Sequence, residues 1–155
     1  MRGMTIIVKT ISGWIKILIV LFSVYIILFG HITPGGGFAG GVILASSYVL
    51  LMLAFGRKFV EQDLSLSLAS KLDCLGALLF ATIAMLGMWL GSYFFANFLY
   101  RQNWLAGEPF KLVSAGTIPL SNIAIGLKVA ASLFLVIIVL SLFRPDEKEE
   151  EGGQE

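Results

Sequence analysis

Hydrophobic residues run in four long blocks along the chain, and the polar residues gather between them. The first block is about 11–30 (ISGWIKILIVLFSVYIILFG) and the second about 38–55 (FAGGVILASSYVLLMLAF). The third is about 72–96, and the fourth, about 120–143 (LSNIAIGLKVAASLFLVIIVLSLF), stops at Arg144-Pro145. A helix needs roughly 20 apolar residues to cross the hydrocarbon layer, and each block meets or nearly meets that length. In lipid every backbone group needs a partner inside its own segment, which helices provide. The pattern therefore predicts an all-α integral membrane protein of four transmembrane helices, with the third long enough to tilt.

Composition agrees with that picture. Of the 155 residues, 57% are hydrophobic and 14% charged, with a mean hydropathy of +0.90. Soluble domains carry about 25% charged residues, so this chain lacks the polar surface of one. The formal charge of +1 hides an uneven distribution. Residues 1–145, read as the membrane domain, hold ten Lys/Arg against four acids, while DEKEEEGGQE at 146–155 holds one Lys against six acids. The latter reads as a disordered, solvated acidic tail.

Four spans place both termini and the 56–71 loop on one side. That side carries Arg2, Lys9, Arg57, Lys58, Lys71, Arg144 and Lys148, and the other only Arg101 and Lys111. The positive-inside rule then puts both termini in the cytoplasm. Tyr93, Phe94, Phe95, Phe98, Tyr100 and Trp104 fall where an outer aromatic belt is expected. The first block is too long for the apolar part of a cleavable signal peptide and is followed by no small-residue cleavage site. Cys74 is the sole cysteine, so no internal disulfide forms, and its place near a helix start suggests packing.

Between the first two blocks lies GHITPGGGFAGGV, residues 30–42. Gly35, Gly37 and Gly40 have the G-x-G-x-x-G spacing of a dinucleotide loop, which requires a strand before it and a βαβ unit around it. Membrane blocks flank it instead. The stretch is better read as a tight turn at Thr33-Pro34, with glycines at positive φ. A helix then starts with small residues every fourth place: Gly37, Gly41 and Ala45 on one strip, Gly36 and Gly40 beside it. Such strips let helix backbones approach closely in lipid. Gly87 and Gly91 repeat the spacing in the third block.

Two cations lie within the blocks. Lys16 is about five residues into the first, near enough to the interface to snorkel. Lys128 lies about eight residues inside the fourth, roughly 12 Å deep at 1.5 Å per residue. A cation there costs at least about 2.5–3.5 kcal/mol unless paired or hydrated. Asp73 is read as lying near the cytoplasmic end of the third block and Glu108 in the outer loop, so no acid of this chain is expected at that depth. Lys128 is expected to meet an acid of another protein, a water-filled cavity or backbone carbonyls. Asn122 either lines the same cavity or caps the helix start at Pro119. His31 is the single histidine, which rules out a metal cluster built on several histidines, and no Ser/His/Asp set or intramembrane carboxylate pair is visible. Lys128, Asn122, Lys16 and His31 are thus the candidate ion-path or interface residues, beside Pro34, Gly35, Gly36, Gly37, Gly40 and Gly41 as the turn and packing motif.

The glycine stretch within a four-span chain resembles the B subunit family of Mrp-type multisubunit Na+/H+ antiporters, whose homologues also occur in archaeal membrane-bound hydrogenase and sulfur-reducing complexes. The matching residues are Gly30, His31, Pro34, Gly35, Gly36, Gly37, Phe38, Gly40 and Gly41, and the likeness covers roughly residues 5–145. Antiporter members commonly carry an acid near the start of the last span, where this chain has Ser121-Asn122, with Lys128 further along. The resemblance implies an accessory, cofactor-free and non-catalytic subunit of a cation/proton-translocating module. Its partners would be other membrane subunits in the lipid bilayer, with Na+ and H+ as the transported ions and no nucleic acid, in the cell membrane of a bacterium or archaeon. The alternative is a scaffold or assembly subunit with no direct part in ion transfer.

Overall fold

The computed structural model describes residues 4–101 and 115–142. The expected acidic tail and the loop residues Trp104, Glu108 and Lys111 lie outside them. Among the described residues six helices follow in order: α1 (Ile6–Phe29), α2 (Gly36–Phe55), α3 (Arg57–Asp63), α4 (Leu66–Gly91), α5 (Phe98–Arg101) and α6 (Ile118–Leu140). Of these, α1, α2, α4 and α6 are long and apolar enough to cross a membrane.

The helix ends follow local chemistry. Apolar Ile6, Ile7 and Val8 carry α1 back beyond its expected start at residue 11. After Phe29 the chain turns, with the Phe29 carbonyl accepting from the Ile32 and Thr33 amides at 2.9 Å each and from Thr33 Oγ1 at 3.0 Å. Gly35 (φ +149°) and Gly36 (φ +76°) then take conformations a side chain would oppose, as the sequence anticipated. The largest shift concerns α4, which begins at Leu66 rather than 72 and ends at Gly91 rather than 96. Ser65 caps its start, its side chain accepting from the Leu68 amide at 3.2 Å, and left-handed Ser92 (φ +75°) ends it. Lys71 and Asp73 therefore lie inside the helix.

Helix α2 is wedged between α1 and α6, and α6 between α2 and α4. The glycines of α2 serve two different neighbours. A methyl group on Gly40 would overlap the Ile27 side chain of α1, whereas one on Gly37 would overlap the Asn122 carbonyl of α6 and one on Gly41 would come within 2.8 Å of the Gly126 carbonyl. Fully buried Ser23 of α1 donates across to the Gly40 carbonyl at 2.8 Å. Gly87 and Gly91 differ from the expectation: they do not serve a second spanning helix but make room for Ala96, where the chain folds back after α4. At the end of the bundle where α1 begins and α6 ends, Leu51, Val60, Ala69, Phe134 and Ile138 form a buried core joining α2, α3, α4 and α6. Among the spanning helices, α4 packs chiefly on α6.

Candidate functional site within the spanning helices

Closeness of α4 to α6 depends on Gly76. A Cβ there would lie 2.8 Å from the Lys128 amide nitrogen and 2.9 Å from the Ala124 carbonyl, so only glycine permits this approach. Asp73 sits one turn before Gly76, and Ser132 one turn beyond Lys128 on the facing helix. The geometry brings all three polar groups together. Lys128 Nζ donates to Asp73 Oδ1 at 2.7 Å and to Ser132 Oγ at 3.3 Å, and the Ser132 hydroxyl donates to the same Asp73 oxygen.

This overturns the expectation that no acid of the chain reaches Lys128. With α4 starting at Leu66, Asp73 is about 10 Å inside that helix and Ser132 about 12 Å from the opposite-running end of α6. The two depths agree, and the long lysine stem spans the remainder. A span drawn from residue 72 places Asp73 at the boundary and hides the match. The signal available in the sequence was Ser65 as a helix cap, which moves the start back from residue 72 to Leu66.

The pair is not sealed within the bundle. The Lys128 side chain is 45% exposed and that of Asp73 28%, so the cluster opens on the outer surface of the four helices. An ammonium carries three donors, and two of those on Lys128 are engaged. Asp73 Oδ2 has no hydrogen-bond partner among the described residues. The third lysine donor and Asp73 Oδ2 are thus left at the open side of the cluster.

The remaining candidates sit elsewhere. Lys16 pairs with Asp63, the last residue of α3, at 2.9 Å, and its Nζ lies 5.0 Å from the centroid of the Tyr48 ring. Asn122 faces the glycine turn: its Nδ2 would lie 3.0 Å from a Cβ on Gly30 and is buried with no partner among the described residues. It thus faces a different neighbour from Lys128, which faces α4, and it is no helix cap. The N-cap residue of α6 is Thr117, with Pro119 in the first turn. The Thr117 amide donates to Asn97 Oδ1 at 3.1 Å, and Asn97 Nδ2 donates to the Ala115 carbonyl at 2.9 Å. His31 is half-buried in the turn after α1. Cys74, expected to pack, is exposed. Among the described residues no three or more His, Cys, Asp or Glu gather as a metal site would require.

Four apolar spans and an ion pair set between two of them define a multi-pass, all-helical membrane protein. The chain belongs to a named family within that class: residues 7–135 match the domain related to the MnhB subunit of Na+/H+ antiporters. It is 36% identical over 146 residues to an uncharacterized protein of Methanocaldococcus jannaschii, covering 88% of this chain and 52% of that protein. It is 28% identical over 141 residues to a Staphylococcus aureus (strain Newman) chain named as antiporter subunit mnhB2, covering 91% of this chain and 97% of the relative. The chain thus spans about half the length of the archaeal relative and nearly all of the bacterial one.

Proposed function

We propose that this chain is an accessory, non-catalytic membrane subunit of a multisubunit cation/proton (Na+/H+) translocating module. The host is an antiporter or the corresponding module of a membrane-bound hydrogenase or sulfur-reducing complex, in the cell membrane with both termini cytoplasmic. The family supports the antiporter character. The observation that carries the role in ion movement is the Asp73–Lys128–Ser132 cluster, a polar group inside a spanning seam with an open side. At that open side a neighbouring subunit would contribute an acceptor for the third lysine donor, or a hydrated path.

Replacement of Lys128 by Ala in the intact complex tests the reading. Sodium-driven proton movement in inverted membrane vesicles is expected to fall at least tenfold while the complex still purifies with its full set of subunits. Wild-type transport by the variant complex defeats the ion-path role. Loss of the complex itself assigns the chain to scaffolding instead.

A further inference from the structure

A second feature lies at the end of the bundle where α1 begins and α6 ends, away from the Lys128 cluster. There the end of α2, the start of α3 and the two residues after α6, Ser141 and Leu142, line a cavity of about 840 Å³. Its lining divides by chemistry. Met52, Leu53, Phe55 and Leu142 supply an apolar wall continuous with the spanning helices, and Arg57, Lys58 and Glu61 of α3 supply a charged rim. Gly56 forms the corner between them at φ +90°, and a Cβ there would meet nothing within 4 Å, so the lip of the cavity is open.

The rim is cationic. Arg57 uses its Nε on Glu61 Oε1 at 2.6 Å, which leaves the other guanidinium donors available, since an arginine carries five. Lys58 is exposed and pairs with no acid among the described residues. Lys9 of α1 stands 5.9 Å from the centroid of the Phe55 ring, adding a third cation beside the cavity wall. Among the described residues, three cations against one acid leave an excess of positive charge at the rim. The level is equally telling: α2 and α6 both end here, so the rim falls where the hydrocarbon layer meets the head groups. A cationic rim above an apolar wall at that level matches a ligand with an anionic head and hydrocarbon chains. Basic pockets between helix ends recognise phospholipid head groups by this chemistry, and the arginine fork suits a phosphate.

We infer that this cavity binds an anionic phospholipid, its phosphate held by Arg57 and Lys58 and its acyl chains lying along Met52, Leu53 and Leu142. The inference requires the membrane-spanning fold and stands apart from the antiporter reading.

Native mass spectrometry of the full chain in mild detergent tests it, with phosphatidylglycerol and phosphatidylethanolamine of matched chains supplied in equal amounts. The wild type is expected to retain phosphatidylglycerol preferentially. The double variant Arg57→Gln/Lys58→Gln is expected to lose about 30-fold in that retention, from two cations near the surface. Lys71→Gln, which removes an exposed cation of α4 outside the cavity, is expected to change it less than about threefold. Equal retention of the two lipids by the wild type overturns the proposal without recourse to any variant. So does a loss in Lys71→Gln matching that of the double variant, which would reduce the effect to overall charge. Soluble glycerol phosphate should leave the bound lipid in place. Its displacement by that headgroup alone would make the cavity a site for free phosphate and overturn the lipid assignment.

Discussion

Asp73 Oδ1 accepts from both Lys128 and Ser132, so one carboxylate oxygen holds two donors of the opposite helix. Removing the carboxylate leaves an ammonium at membrane depth with a single hydroxyl partner. Asp73→Leu is therefore expected to destabilise the chain by about 2–3 kcal/mol, the order of a lone mid-membrane charge. The double variant Asp73→Leu/Lys128→Leu should recover most of that loss, because an apolar pair needs no counter-charge in lipid. Thermal unfolding in nanodiscs measures both, and losses that simply add would show that the two side chains are not coupled. Activity should part company with stability: the double variant is expected to fold well and transport poorly. Lys128 could be singled out from the sequence because a charge inside an apolar block is conspicuous. Asp73 could not, because a carboxylate two residues from Lys71 at the cytoplasmic end of a block reads as interfacial rather than deep.

Close helix contact in this chain depends on where a glycine faces, which spacing alone does not disclose. Every fourth-residue spacing in α2 correctly announced a smooth helix, yet it left open that Gly40 faces α1 while Gly37 and Gly41 face α6. The same spacing at Gly87 and Gly91 serves a returning loop, since the chain reverses at Ser92 before any other helix arrives. Gly76 stands alone with no partner at i±4 among small residues of the required kind on its strip except Ala69 and Ala84 further off, so no motif marked it. Substitution orders these sites. Gly37→Ala and Gly76→Ala place a methyl against backbone of α6 that cannot move aside, and each is expected to cost about 1–3 kcal/mol. Gly13→Ala, with nothing within 4 Å of its Cβ, should instead stabilise α1 by about 0.5–1 kcal/mol. Chemical unfolding in mixed micelles ranks the three, and a harmless Gly76→Ala would mean that α4 and α6 do not meet as closely as described.

At the scale of the whole molecule, α4 hangs on α6 while its other sides stay open, and the ion pair emerges along this seam. A chain that joins a larger assembly would be covered there. Cys74, exposed beside Asp73, reports on that cover: a membrane-permeant maleimide is expected to label it at least tenfold faster in the isolated chain than in the assembled complex. Equal rates would move the intersubunit contact to another face. The four-span architecture was legible because an apolar block of membrane length has few alternatives, while the order in which helices touch depends on contacts between residues far apart in sequence. Asn97 illustrates the latter. Its side chain bonds Ala115 and Thr117 across the loop and so fastens the two ends of that loop directly to each other. The start of α6 is thereby tied directly to the chain reversal after α4. Insertion of a short Gly/Ser segment between residues 102 and 114 should then leave Lys128 where it is, so that an epitope, a fluorophore or a tether can be carried there without disturbing the ion pair.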